Sequence, residues 1–194
     1  MREPSVDLNP FTFKADDKYT ESTRPTKTAE MMAMVRARES ISPEGERICS
    51  TLMPPLRQPE TLAFAAREPE KFRQPTDQTE RLIPGHANSV AARARYIDDT
   101  MTSSANSVRQ PVLIEARYDT RAYRIEGAKK LKVFKVDHPN TQKLKKRKIK
   151  EIFGSLPTHI TYVPTNLEIE YLEERLRAGG YNPSLPTLFV MEGL

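Results

Sequence analysis

The sequence has one cysteine, no tryptophan and seven glycines, against sixteen prolines. The single cysteine, Cys49, excludes an internal disulfide and a cysteine-rich zinc site, and a small apolar packing role is its more common use. No run approaches the ~20 apolar residues of a membrane span. The segment 1–19 is charged throughout and lacks the apolar centre of a signal peptide. We therefore expect a cytoplasmic protein with no membrane partner.

The sequence also lacks a strong excess of one charge. It has 31 Lys and Arg against 26 Asp and Glu, a net charge of +5, and the two signs are mixed along 194 residues. The densest basic run, residues 143–150, contains no aromatic residue and is expected on the exposed side of one helix. A solvated helix face is more common for such a run than a nucleic-acid stripe, so nucleic acid is an unlikely partner. The three histidines show no ligand spacing, so we expect no metal.

Most of the prolines fall in the first half of the chain. Residues 1–24 are polar and aperiodic and predict a flexible lead-in. Residues 25–110 predict a helical N-terminal cap region, with helices over 28–40 and 89–101. The proline-rich stretch 50–84 lies between them. Only 60–67 looks helical there, so we expect little regular structure in that stretch.

From residue 111 to residue 194, short apolar strands alternate with helices. The four predicted strands are 112–114, 132–137, 159–164 and 187–192. One intervening helix is predicted over 141–153, with Leu144, Ile149, Ile152 and Phe153 on its buried side. Another is predicted to be capped by Asn166 and to carry Ile169, Leu172 and Leu176. This alternation predicts an α/β fold in which N-terminal helices precede the first half of a doubly wound parallel sheet, with strand four beside strand one.

The turn after the first strand, Glu115-Ala116-Arg117, lies where a doubly wound sheet binds a nucleotide-type cofactor. Glycine suits such a turn because a β-carbon occupies the space that the ligand needs. About 20 positions further on, Asp137 ends the second strand, where an acidic residue accepts hydrogen bonds from ribose hydroxyls. Spacing alone leaves two interpretations of Asp137 open: a ribose ligand, or the start of a turn with His138-Pro139.

Several ordered motifs resemble the leucine carboxyl methyltransferase-like family of S-adenosylmethionine-dependent methyltransferases. The resemblance covers residues 25–194, apart from the proline-rich stretch. The motifs in the second half are Tyr118-Asp119-Thr120-Arg121-Ala122-Tyr123-Arg124, Val136-Asp137-His138-Pro139 and Phe189-Val190-Met191-Glu192-Gly193. Those in the first half are Lys27-Thr28-Ala29-Glu30, Pro43-Glu44-Gly45-Glu46-Arg47-Ile48-Cys49 and Ala92-Arg93-Ala94-Arg95-Tyr96-Ile97-Asp98-Asp99.

The resemblance implies S-adenosylmethionine as cofactor and O-methyl transfer to a carboxylate or hydroxyl of an unknown acceptor. It implies that Arg93 holds the methionyl carboxylate and that Glu192 faces the cofactor's amino group. It further implies that Asp137 binds the ribose. The remaining implied contacts are those of the turn with methionine and ribose and those of strand three with adenine, made by Glu115, Ala116, Arg117, Asp119, Asn166 and Leu167. The ordinary alternatives are a solvated helix arginine for Arg93 and a charged strand end for Glu192.

The chain departs from the family at four positions in this implied site. The family has glycine at 115 and 117, glutamate at 135 and aspartate at 166, where this chain has Glu115, Arg117, Lys135 and Asn166. If the turn needs a positive φ, each replaced glycine adds roughly 1 kcal/mol of backbone strain or more. The chain also ends at strand four, where the family continues. The expected alternative to an enzyme is therefore an inactive, truncated remnant acting as a non-enzymatic interaction protein.

Overall fold

The computed structural model of the protein describes residues 67–116 and 119–192, together with Val35, Arg38, Arg47 and Ile48. In chain order the helices are α1 (Pro69–Leu82), α2 (His86–Ser103), α3 (Arg121–Arg124), α4 (Glu126–Lys129), α5 (Pro139–Phe153) and α6 (Leu172–Ala178). The strands are β1 (Gln110–Ile114), β2 (Val133–Asp137), β3 (Ile160–Pro164) and β4 (Thr187–Met191), and a short 3₁₀ helix, Ser104–Asn106, precedes β1.

The four strands form one parallel sheet in the order β3-β2-β1-β4. Val112 of β1 pairs with Phe134 of β2 on one side and with Phe189 of β4 on the other. The predicted α/β fold with a four-stranded parallel sheet is therefore confirmed, as is the position of strand four beside strand one.

Apolar side chains cover both faces of the sheet. Every residue of β1 and of β2 is buried, which explains why their sequences are continuous rather than alternating. Leu113 and Val133 pack on one face with Met101 of α2. Phe134 packs on the opposite face with Leu176 of α6. The charged residues on β2 are therefore placed in a buried layer and need internal partners.

The expectation of little regular structure over 50–84 is wrong for its second part, because α1 occupies Pro69–Leu82. Pro69 lies in the first turn of the helix, where a missing backbone N–H removes no hydrogen bond. Phe72 and Thr76 are buried one turn apart and anchor the helix. The high proline content of residues 50–84 obscures the spacing of Phe72 and Thr76 that indicates this helix in the sequence. Residues 1–34 and 49–66, which include the predicted lead-in and all but the last residue of the predicted helix over 60–67, lie outside the described residues, although Val35 and Arg38 are helical.

Three local expectations in the second half need correction. Asn166 does not cap a helix, because α6 begins at Leu172 and residues 167–170 form a turn with Ile169 80% exposed. Phe153 is exposed at the end of α5, although its ring stacks on Tyr123. The side chain of Leu144 lies outside the described part. Among the helices of the described ranges, none is long and apolar enough to cross a membrane.

Candidate functional site

The predicted site residues that the structure describes lie at one edge of the sheet or on α2 beside it. In a parallel sheet the carboxyl ends of all strands meet at the same edge. Glu115 and Ala116 directly follow β1, and Asp137 ends β2. Asn166 and Leu167 follow β3, and Glu192 follows β4. Arg117, the second replaced glycine of the family pattern, lies outside the described residues.

The turn after β1 places Glu115 in the left-handed region, with φ 48°. Residues other than glycine, asparagine and aspartate rarely adopt this conformation. The structure therefore confirms, for this residue, that the turn needs the conformation that glycine favours. Glu115 adds roughly 1 kcal/mol of local strain relative to glycine and places a β-carbon in the turn. The next residue, Ala116, is held against β2, because its N–H donates to the carbonyl of Val136 at 3.2 Å.

Arg121 forms the centre of a buried ion-pair network beside the turn. Its side chain is 2% exposed. Nε donates to Oδ1 of Asp98 at 2.7 Å, and Nη1 donates to Oδ2 of Asp119 at 2.5 Å and to Oε2 of Glu192 at 2.8 Å. Nη2 donates to the carbonyl of Ala94 at 3.3 Å. One guanidinium thus joins α2, the turn and the residue after β4.

This network determines the charge of its members. Burial alone would raise the pKa of Asp119, but the nearby charges of Arg121 and Lys135 outweigh burial and hold that pKa well below its usual range. Burial would lower the pKa of Arg121, but Asp119 and Glu192 outweigh it and raise that pKa. Asp119 is therefore a carboxylate, and Arg121 a guanidinium, at any physiological pH.

Arg93 and Glu192 meet at the edge of this network. Nε of Arg93 donates to Oε1 of Glu192 at 3.2 Å, while the other carboxylate oxygen accepts from Arg121. Arg93 is partly exposed and Glu192 is largely buried. The contact joins two predicted site residues that are 99 positions apart in the sequence, and their roles toward a cofactor stay predictions. An exposed cation beside a shielded anion is complementary to an α-amino acid zwitterion, whose carboxylate and ammonium are equally close.

Two buried lysines lie beneath the turn. The Lys135 ammonium donates to the carbonyl of Asp119 at 2.7 Å, and the Lys145 ammonium donates to the carbonyl of Ala116 at 2.6 Å. Lys145 also lies 3.9 Å from a carboxylate oxygen of Asp137. The prediction that the basic run lies wholly on an exposed helix face is therefore wrong at Lys145. Its position on α5 faces the carboxyl end of β1, where backbone carbonyls need donors.

Both lysines are placed where a charged form is costly. Burial lowers the pKa of Lys135, and the charge of Asp119 offsets part of that effect. Burial also lowers the pKa of Lys145, and the neighbouring Lys135 lowers it further. Lys145 therefore has a like-charged neighbour at position 135, where the family resemblance implies a glutamate.

Asp137 does not begin the turn that leads into α5. His138 is the N-cap of that helix, and its ring nitrogen accepts from the N–H of Asn140 at 3.4 Å. The Asp137 backbone carbonyl accepts from the N–H of Thr165 at 2.9 Å, which joins the ends of β2 and β3. The buried carboxylate of Asp137 lies on the side of Lys145. The interpretation of Asp137 as a ribose ligand stays a prediction.

The residues after β3 form a small polar turn. Oδ1 of Asn166 accepts from the N–H of Glu168 at 3.1 Å, and the Asn166 N–H donates to the Glu170 carboxylate at 2.7 Å. Leu167 is exposed beside it. The side-chain amide is thus oriented by its own turn. Within the described ranges, no group of three or more His, Cys, Asp and Glu residues could hold a metal ion.

Sequence reasoning missed the role of Arg121 and of the two lysines. The sequence contains one indication of this role, because Asp119 lies two positions before Arg121. An arginine that faces the interior needs carboxylate partners, and a nearby aspartate can supply one. Sequence spacing could not show that its partners would come from α2 and from the end of β4.

Comparison with known proteins places these residues in one family pattern. Residues 29–194 match the leucine carboxyl methyltransferase family. A Mycolicibacterium paratuberculosis protein, named as an S-adenosyl-L-methionine-dependent methyltransferase, is 31% identical over 172 residues, or 86% of this chain and 55% of its own length. Proteins with the same name from Mycobacterium sp. strain MCS and Mycolicibacterium gilvum are 33% and 30% identical over 62% and 69% of this chain. The chain spans about half the length of these relatives, with 50% and 43% of the last two covered.

Proposed function

The chain belongs to the leucine carboxyl methyltransferase family, and on this basis we propose that the carboxyl edge of its sheet binds S-adenosylmethionine for transfer of the methyl group. The observation that carries the proposal is the Arg93–Glu192 pair, which lies at the same sheet edge as Asp137. A cation and an anion 3.2 Å apart suit the amino-acid end of the cofactor, and a buried acidic residue at the end of β2 suits its ribose.

The described residues fit this cofactor at both of these positions. Arg93 would hold the methionyl carboxylate, and Glu192 would accept from the ammonium. Asp137 would accept from the ribose hydroxyls, while Asn166 and Leu167 would contact the adenine. Glu115, Ala116 and Asp119 would surround the methionine and ribose portion, with Arg117 as the remaining predicted contact. Glu115 is the least favourable member, because its φ of 48° and its β-carbon replace the close backbone approach of a glycine.

The bound cofactor would supply an already activated methyl group, so the protein needs to provide binding, alignment and exclusion of water. The buried network around Arg121 keeps Asp119 ionised and holds Glu192 in place. Alignment of an oxygen nucleophile with the methyl group would follow from the walls of the acceptor site.

We propose a carboxylate or hydroxyl oxygen as the methyl acceptor. A methyl ester is cleaved by mild base, whereas a methyl ether is not. Transfer from methyl-labelled S-adenosylmethionine to a pool of small carboxylic acids and alcohols tests this proposal. Label released as volatile methanol by base would identify a carboxylate acceptor, and label that resists base would identify a hydroxyl. Absence of transfer to either pool would overturn both.

Isothermal titration with S-adenosylmethionine tests the binding part. Asp137→Asn keeps the shape of the side chain and removes its charge, and is expected to weaken binding by about 10-fold. The matched control is Asp99→Asn on the exposed side of α2, where Asp99 pairs with Arg95; it should change the affinity by less than about two-fold. Equal effects of the two substitutions would contradict the assignment of Asp137.

A cytoplasmic location stays a prediction of the sequence. The alternative of a non-enzymatic interaction protein has no specific contact in its favour among residues 67–116 and 119–192.

A further inference from the structure

Glu192 is shared between two arginines. One carboxylate oxygen accepts from Arg121 at 2.8 Å and the other accepts from Arg93 at 3.2 Å. Arg121 is 2% exposed, whereas the Arg93 side chain is 43% exposed. The inner contact is therefore the shorter and the more shielded of the two, and only the outer cation is accessible from solvent.

Arg121 cannot itself contact a ligand, because its partners surround it. Asp98 and the Ala94 carbonyl bind it from α2, and Asp119 binds it from the turn. These contacts fix the guanidinium plane, and a fixed guanidinium holds a carboxylate in one orientation. Arg121 therefore fixes Glu192 from behind while remaining covered.

The consequence concerns the outer pair. If Arg121 released Glu192, the whole carboxylate would be available to Arg93, and two parallel hydrogen bonds would replace one. Such a closed pair leaves neither group for a ligand. With Arg121 in place, one carboxylate oxygen is engaged inside the network, so less of the carboxylate is available to Arg93 and the outer pair opens at lower cost.

We propose that Arg121 is a positioning residue that keeps the Arg93–Glu192 pair open for an α-amino acid zwitterion, and so determines that the site takes ligands with an amino-acid end. This inference rests on the proposed function. It goes further by stating that the network around Arg121 selects the amino-acid end of the ligand. It distinguishes a role in selectivity from a general role in stability, because ligands without the amino-acid end do not depend on the pair.

The test compares three ligands by isothermal titration. S-Adenosylmethionine and S-adenosylhomocysteine carry the amino-acid end, and 5′-methylthioadenosine lacks it. Arg121→Lys keeps the charge and loses the planar fork. We expect it to weaken the first two ligands by at least about 10-fold, as for other groups that orient binding residues from behind. Binding of 5′-methylthioadenosine should change by less than about two-fold.

The matched control is Arg95→Lys on the exposed side of α2. Arg95 pairs with Asp99, and its side chain is 57% exposed. This variant should leave the ratio of the three affinities unchanged. Near-ultraviolet circular dichroism establishes that each variant is folded. If Arg121→Lys does not fold, Asp98→Asn replaces it, because it removes one anchor of Arg121 with little change of shape and should produce the same selective loss to a smaller degree.

Three results separate the possible failures. Selective loss of the two amino-acid ligands supports the positioning role. An equal loss of all three ligands in a folded variant would show that Arg121 acts only on stability, and would overturn the inference while the proposed function stands. Failure of the unsubstituted protein to bind any of the three ligands would overturn the proposed function and this inference with it.

Discussion

The ammonium of Lys145 lies 2.6 Å from the carbonyl oxygen of Ala116, so the middle of α5 is tied directly to the turn after β1. The same ammonium lies 3.9 Å from the Asp137 carboxylate. A residue that belongs by sequence to a solvated basic run is thus an internal support of the proposed cofactor turn.

Lys145→Met tests this support. The substitution leaves the Ala116 carbonyl without the Lys145 donor and removes the Lys145 cation from beside the Asp137 carboxylate. We expect the free energy of unfolding to fall by about 1–3 kcal/mol, measured by urea denaturation. Lys143→Met on the exposed side of the same helix is the control and should change it by less than about 0.5 kcal/mol. Equal effects would show that the inward contact contributes nothing.

Glu115→Gly should relieve the strain in the turn. Glycine adopts φ 48° without a β-carbon clash, so we expect a gain of roughly 1 kcal/mol in the free energy of unfolding. Affinity for S-adenosylmethionine should rise as well, because the backbone becomes accessible. Glu115→Ala removes the charge and keeps the β-carbon, and it should give neither gain. A similar gain in the alanine variant would assign the effect to charge rather than to conformation.

Lys135→Glu should convert a repulsive neighbour of Lys145 into an attractive one. The new carboxylate would restore the family residue and form a buried pair with the Lys145 ammonium. We expect urea unfolding to show a gain of about 1 kcal/mol, less than the pairing alone would give, because the Lys135 contact with the Asp119 carbonyl is lost and the new carboxylate faces Asp119. Lys135→Met removes the repulsion without adding a partner. Its free energy of unfolding should therefore lie between those of the unsubstituted protein and of Lys135→Glu. A glutamate variant less stable than the methionine variant would contradict the proposed pairing.

Stability should rise with pH between about pH 7 and pH 10. The folded-state pKa values of Lys135 and Lys145 lie below their ordinary value, so the unfolded chain binds more protons in this window and loses them later. The free energy of unfolding therefore increases as pH rises.

The groups that face this pair are Asp119, Asp137 and Arg121. The pKa of Asp119 lies below its usual range and that of Arg121 above it, so neither of these two groups changes charge in the window. Burial raises the pKa of Tyr123, so this phenol opposes the trend only at higher pH. Urea denaturation as a function of pH gives the slope, and Lys135→Met should reduce it. A flat or falling profile in the unsubstituted protein would contradict two buried ammoniums.

The sheet could be predicted from the sequence because its strands are short, continuously apolar runs. The apolar side chains of Val112, Phe134 and Val136 mark these strands in the sequence, and the same side chains are buried in the structure. The conformation of Glu115 could also be anticipated, because the turn that precedes a cofactor favours glycine. Local sequence was sufficient wherever the period of apolar residues determined the structure.

The buried charges could not be predicted in the same way. Arginine and lysine are usually found on the surface, so the residue type alone does not predict that Arg121 and Lys145 are buried. Their burial depends on partners far along the chain, such as Glu192, which lies 71 positions from Arg121. Helix α1 was missed because two of its residues, Pro69 and Pro75, are prolines, although Phe72 and Thr76 give it a buried side. In each case tertiary contacts outweighed local preference.

The central claim is that the carboxyl edge of the sheet binds S-adenosylmethionine. A nitrogen-15 NMR titration with this compound tests it most directly, because every backbone N–H reports its own position. The account predicts shifts at Ala116, Asp119, Asp137, Asn166 and Glu192, and none at the amino ends of the strands, at Val133, Ile160 and Thr187. Shifts at the amino ends alone, or no shifts at saturating concentration, would contradict it.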